Sequence, residues 1–219
     1  GSWFEPVAGE RFDRIVANPP FVVGLPEVGH VYRDSGLNLD AASELVISQA
    51  AEHLNPGGTA HLLAAWVHRG EETWQQRVAS WLPDTGVAAW VIERDVVDPA
   101  HYVSTWLEDE SIDVRSPEGI QRSRQWLEHF RDHGVTGIGF GFVAIQHIGD
   151  DEPSDILAET MAQPHIEPLG PEVEEYFARV AWLRGLVPGE LESTHVQVRP
   201  GVAREDVGLA DTEVGMGFE

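Results

Sequence analysis

The sequence predicts an α/β fold built on a mainly parallel sheet. Short apolar runs alternate along the chain with segments of helical periodicity, and such alternation implies right-handed crossovers between parallel strands. One run, residues 59–67, is apolar at nearly every position, the pattern of a strand buried on both faces. With 42% hydrophobic residues and eight Trp among 219, the chain can bury a substantial core.

Taken in order, residues 11–17 form the first strand, which stops at Asn18-Pro19-Pro20-Phe21. A loop containing Gly and Pro follows from Val22 to Leu39. Asp40 reads as an N-cap with Glu44 in the first turn, and Leu45, Val46, Ala50 and Leu54 recur at helical spacing. Asn55-Pro56-Gly57-Gly58 ends that helix. After the strand at 59–67, a second helix spans 71–82 and stops at Pro83 and Gly86, and a third strand spans 87–92. Asp98-Pro99 is a strong helix start, an N-cap followed by Pro at the first position; that helix runs to about Leu107. Another opens at Pro117 and reaches His133, with Ile120, Trp126, Leu127 and Phe130 as core candidates. A last strand covers 139–148. Gly149 to Pro153 is an acidic break, so the expected division is a domain over 1–148 and an acidic accessory region over 149–219. The latter is expected to hold a helix at 171–186 (Val173, Phe177, Val180 and Leu183 inward), a strand at 194–198 and a tail.

Composition narrows the function classes. Net charge is −23, from 37 acidic against 14 basic residues, which argues against broad contact with a phosphate backbone. Zero Cys excludes disulfides and thiolate metal sites and fits a cytoplasmic protein. No apolar run approaches the roughly 20 residues of a membrane span, so no membrane partner is expected.

The Asn18–Phe21 tetrapeptide carries the chemistry. Two successive prolines remove two backbone donors and fix two φ angles, and Pro19 pushes Asn18 toward an extended conformation. The result is a stiff corner presenting a carboxamide, free carbonyls and an aromatic face. Such a corner can accept hydrogen bonds from a planar –NH2 group and stack on its π system. As a bare tetrapeptide it also reads as a turn.

Phe12-Asp13-Arg14-Ile15-Val16-Ala17-Asn18-Pro19-Pro20-Phe21, with Trp3-Phe4-Glu5-Pro6 before it and Tyr32–Leu37 and Leu54–Gly58 after it, resembles class I S-adenosylmethionine-dependent N-methyltransferases. The closest likeness is to the HemK/PrmC-like glutamine methyltransferases and the "methyltransferase small domain" rRNA enzymes. The likeness covers residues 1–148 and implies a Rossmann-like methyltransferase sheet, here strands four to seven of the family's seven, with a small C-terminal accessory region. It implies that Asn18 and the Pro19 carbonyl accept the protons of the target nitrogen, that Pro20 completes the corner, and that Phe21 stacks on the target. Ser2 and Trp3 match the loop that lies against the cofactor adenine, and the likeness counts Asn18 with them among the cofactor-binding residues. Ser2 stands where Asp is usual, and Trp3 fits a core position equally well. The substrate implied is an rRNA base or a release-factor glutamine. The glycine turn and acidic residue that hold S-adenosylmethionine precede the matched segment in the family. The expectation is therefore that an N-terminal half or a homodimer partner completes the site, the alternative being a non-catalytic binding or assembly module.

Three further patterns attract attention. Gly137-Ile138-Gly139-Phe140-Gly141 reads as GxGxG but leads into a β-like run with no helix after it, which is the wrong context for a nucleotide turn. His129 and His133 share a helical face without a third ligand, so a metal site is not expected. Glu93, Arg94, Asp95 and Asp98 follow the third strand, at the edge where α/β sheets bind ligands. Asp98 is expected to cap, and Glu93 or Arg94 to face either solvent or substrate.

Overall fold

The computed structural model describes residues 3–27, 35–161, 168–198, 202 and 204. The elements are β1 (Phe12–Ala17), α1 (Ala41–Glu52), β2 (Leu54–Arg69), α2 (Trp74–Ala79), β3 (Val87–Val97), α3 (Pro99–Asp109), α4 (Pro117–Asp132), β4 (Val135–His147), β5 (Asp155–Thr160), α5 (Gly170–Gly185) and α6 (Glu190–Ser193). They form an α/β, Rossmann-like fold. Among the described residues the sheet has five strands in the order β1-β2-β4-β3-β5. β1 pairs parallel with β2 and β3 with β5, while β4 runs antiparallel between β2 and β3. Four strands therefore point one way, and the last strand of the expected domain is inserted in reverse.

Both faces of β2 are covered, as its apolar run requires. Leu62, Ala64 and Trp66 pack under α1 and α2, where Ile47, Val78 and Trp74 close the first core cluster. Trp74 stacks on the fully buried Trp66 at 5.2 Å. On the opposite face Ala65 and Val67 join Tyr102 and Val103 of α3 and Trp126 and Phe130 of α4. A third cluster sets Val173, Tyr176, Phe177 and Val180 of α5 on Ala88 and Ala144.

Several expectations are corrected. The Asn55–Gly58 segment does more than stop α1, which ends at Glu52. It is already part of β2 and forms an irregularity in the β1–β2 pairing. Gly57 has φ +77° there, and a Cβ on Gly58 would stand 2.7 Å from the Phe12 carbonyl oxygen. α2 is shorter than expected because Thr73 and Gln76 form a capping box that starts it at Trp74. Ile120 is 51% exposed, since Gly119 turns inward against Asp113 and Val114 and rotates that side of α4 outward. Leu183 is also exposed.

The compact unit carrying the sheet runs through Ala181. The segment after Gly149 returns as β5 alongside β3, and α5 supplies the third cluster. The second unit, Trp182–Glu219, contains α6, none of whose residues is buried. Residues 194–198 form no strand. No helix among the described residues is long and apolar enough to cross a membrane.

Candidate functional site

β1 ends where Pro19 and Pro20 deny it further ladder donors, so the edge of β2 beyond Leu62 loses its neighbour. Two side chains of the α1 start take that place. Ser43 Oγ accepts from the Ala65 amide at 3.1 Å, and Asp40 Oδ2 accepts from the Val67 amide at 2.9 Å. Asp40 does not cap its helix with its side chain, contrary to expectation. Its buried carboxylate instead takes a bidentate pair from Arg77, Nε–Oδ2 and Nη2–Oδ1 both 2.7 Å. The Asp40 hydrogen bonds raise the Arg77 pKa, and a bidentate pair fixes geometry as well as charge.

The loop after the corner is clamped from the other side. The Val23 amide donates to Tyr102 Oη at 2.7 Å. Gly24 lies so close to the Trp126 indole that a Cβ would meet it at 2.8 Å. Phe21 and Leu25 pack at the margin of the second cluster, and Asn38 Oδ1 accepts from His129 Nε2 at 2.8 Å. The corner and the α3–α4 hairpin are thereby joined, although 79 residues separate Val23 from Tyr102.

Within this frame the Asn18 side chain is exposed, Pro19 is buried, and Pro20 and Phe21 are half-buried. No described group engages the Asn18 carboxamide or the Pro19 carbonyl. Asn18 lines an apolar cavity of about 300 Å³ together with Val16, Ala17, His61, Leu63 and Phe142. His61, paired in register with Val16, has its pKa lowered by burial and then by Arg14, with Glu174 opposing. An apolar hollow with a few convergent polar groups is the usual form of a binding site.

The remaining candidates separate from the corner. Trp3 packs against the first core cluster, and Ser2 lies outside the described residues, as do Tyr32, Arg33 and Asp34. The GxGxG glycines lie inside β4. Gly139 and Gly141 leave room for the Trp66 indole to cross that strand and donate to Glu93 Oε2 at 2.8 Å. Glu93 is 1% exposed and also accepts from His68 Nε2 at 2.6 Å and Thr160 Oγ1 at 3.4 Å. It faces neither solvent nor the corner, an outcome sequence spacing missed; the paired signal was a Trp and a Gly facing across one register position. Arg94 pairs with its neighbour Asp95 on the surface, and Asp98 caps α3 through the Ala100 and His101 amides. His133 Nδ1 donates to the His129 carbonyl, and no metal-binding cluster is present among the described residues.

The fit to S-adenosylmethionine is one-sided. Among the described residues no glycine-rich turn joins a strand end to a helix start, so nothing here cradles the nucleoside and methionine portions.

No family model matches the chain, and no curated protein matches it. Among solved structures it resembles a chain described under "Structural basis underlying complex assembly and conformational transition of the type I R-M system". Identity is 16% and the TM-score 0.34, covering 84% of this chain and 33% of that one. It also resembles "StiE O-MT residues 942-1257", with 14% identity and a TM-score of 0.30, covering 63% and 44%. The chain thus spans less than half the length of either. Both TM-scores lie below 0.5, and the functional reading stands on the corner alone.

Proposed function

We propose that this chain contributes the substrate side of an S-adenosylmethionine-dependent N-methyltransferase acting on a planar amino or amide nitrogen, an rRNA base or a release-factor glutamine. The observation that carries the reading is the pair of unengaged acceptors, Asn18 Oδ1 and the Pro19 carbonyl, on a proline-stiffened corner whose following loop is tied to Tyr102. A planar –NH2 group donating one proton to each is held with its nitrogen in a fixed orientation. The corner's work is positioning and polarisation by fixed dipoles that need no reorganisation. Phe21 offers an apolar edge to the target plane, and no general base is required. When bound, S-adenosylmethionine supplies an electrophilic methyl group. The groups that hold it come from a polypeptide completing the sheet beside β1, an N-terminal half or a second copy. The place of β1 at the sheet edge among the described residues supports this. The lack of Cys supports a cytoplasmic setting.

Asn18→Ala in the assembled enzyme should abolish transfer of labelled methyl groups while the circular dichroism spectrum is unchanged; undiminished turnover refutes the assignment. A second reading is a non-catalytic binding module. Calorimetric titration of the chain with S-adenosylmethionine separates the two, since micromolar binding by the chain alone contradicts the module.

A further inference from the structure

A cavity of about 230 Å³ lies at the end of the sheet where β1 and β3 begin, opposite the corner that follows the end of β1. Arg11, Glu52, Thr85, Gly86, His147 and Asp150 are among its lining residues. We propose that this cavity binds a small zwitterion, an α-amino acid with its ammonium toward His147 and the carboxylates and its own carboxylate toward Arg11. The site shares no residue with the corner and does not depend on the methyl-transfer reading.

The observation that calls for a ligand is a buried ring nitrogen. His147 is 6% exposed; its Nε2 lies 2.9 Å from Asp150 Oδ1, and its Nδ1 is buried with no partner. An ionised carboxylate only accepts, so Nε2 carries the proton of the neutral ring and Nδ1 presents a bare lone pair. A buried acceptor without a donor is costly, and such a group in a native fold calls for an occupant. The adjoining backbone does not supply one. The Gly86 amide donates to the Glu152 carbonyl at 2.7 Å, the Ile148 amide to the Gly86 carbonyl at 2.8 Å, and the Val87 amide to Ser154 Oγ at 3.2 Å. Those same bonds fix the wall around the ring, so the site is formed before anything binds. Its volume is far above the roughly 10–15 Å³ that one water needs.

The charges around the ring choose the ligand. Glu52 and Asp150 line the cavity, and α1 ends there at Glu52, so the negative end of its dipole adds to theirs. The donor that suits Nδ1 in this field is a cationic N–H, as in an ammonium group. Arg11 is the opposing charge. Its Nη1 donates to the Leu54 carbonyl at 3.1 Å, and among the described residues no carboxylate pairs with it. Arg11 and Glu52 thus line one cavity without closing on each other, and a molecule with one end of each sign bridges them. A simple anion would face two carboxylates, and a simple cation would face the guanidinium. A metal ion does not fit, since no cluster of three ligating side chains is present among the described residues.

The test is an NMR titration of the nitrogen-15-labelled chain with L-serine, ethanolamine and acetate, which separate the two charged ends. L-serine should saturate with a Kd of about 1 mM and move the His147 Nδ1 resonance together with the Gly86 and Asp150 amides. Ethanolamine lacks the carboxylate and acetate the ammonium, so each should bind about fivefold more weakly, the scale of one exposed ion pair. Arg11→Gln should bring L-serine down to the level of ethanolamine. Glu52→Gln should weaken L-serine and ethanolamine alike by about fivefold and leave acetate no weaker. Both residues are exposed, so the fold is retained, as circular dichroism would verify, and the three probes on the unaltered chain test the proposal without either variant. No saturation by L-serine below about 10 mM, acetate binding as tightly as L-serine, an unmoved His147 Nδ1 resonance, or a preference for L-serine over ethanolamine that survives Arg11→Gln overturns the proposal.

Discussion

Truncating Arg77 to alanine tests the network that closes β2 beyond the corner. In the native fold Asp40 is 2% exposed and accepts three hydrogen bonds, two from Arg77 and one from the Val67 amide. Arg77 is itself mostly buried, 15% exposed at its side chain, so the pair is little screened. Arg77→Ala leaves the Asp40 carboxylate buried with a single donor. Hydrogen bonds to a charged group contribute roughly 1.5–3 kcal/mol each, and breaking a buried pair on one side typically costs about 3–5 kcal/mol. The two figures agree, and a loss of about 4 kcal/mol is expected. For a chain of this length that lowers Tm on the order of 10 °C. Urea unfolding followed by circular dichroism measures the loss. Asp40→Asn and the Asp40→Asn/Arg77→Ala double variant complete a cycle, with a coupling of about 2 kcal/mol expected between the two sites. A loss below about 1 kcal/mol for Arg77→Ala, the range of surface pairs, refutes the claim that this pair anchors the α1 start on β2.

Tyr102→Phe leaves the buried Val23 amide without its acceptor and should cost about 1–3 kcal/mol, with faster hydrogen exchange at Val23; unchanged protection there contradicts the clamp. Gly139→Ala forces a Cβ between Trp66 and Glu93 and should destabilise by about 1–3 kcal/mol while altering the near-ultraviolet spectrum of Trp66; a neutral result means the indole does not cross β4 as described. Acid sensitivity follows from the imidazoles. His61 and His129 have pKa values lowered below 6.5, so each binds fewer protons folded than unfolded. Their contribution is therefore complete above pH 6.5 and is lost as pH falls from there through the folded pKa values. A His61→Gln/His129→Gln variant should show a flatter fall in stability below pH 6.5, and an unaltered slope excludes both groups as its source.

The cost of local rules meeting distant partners is clearest at Asp40. An acidic residue before a helical run reads as a cap, and at Asp98 that reading holds because nothing else competes for the carboxylate. At Asp40 the unpaired edge of β2 and the Arg77 side chain compete for it and win, since both are buried charged or backbone groups with no water to fall back on. Similarly, the glycines of residues 137–141 were legible as something other than a nucleotide turn, but their purpose required knowing that Trp66 and Glu93 flank β4. Ile120 failed as a core residue because a neighbouring Gly packed more closely than any side chain could.

Local chemistry therefore determined the alternation of strands and helices and the rigid Asn18–Phe21 corner. Each depends on residues near in sequence: periodicity, prolines and caps. The tertiary structure decided that β4 runs in reverse between β2 and β3 and that β5 and α5 belong with the sheet. It also decided that Asp40 ties the start of α1 to β2 and Arg77, and that Tyr102 and Trp126 hold the loop after the corner at Val23 and Gly24. Those outcomes depend on pairings dozens of residues apart, where burial energy outweighs local preference and no spacing rule reaches.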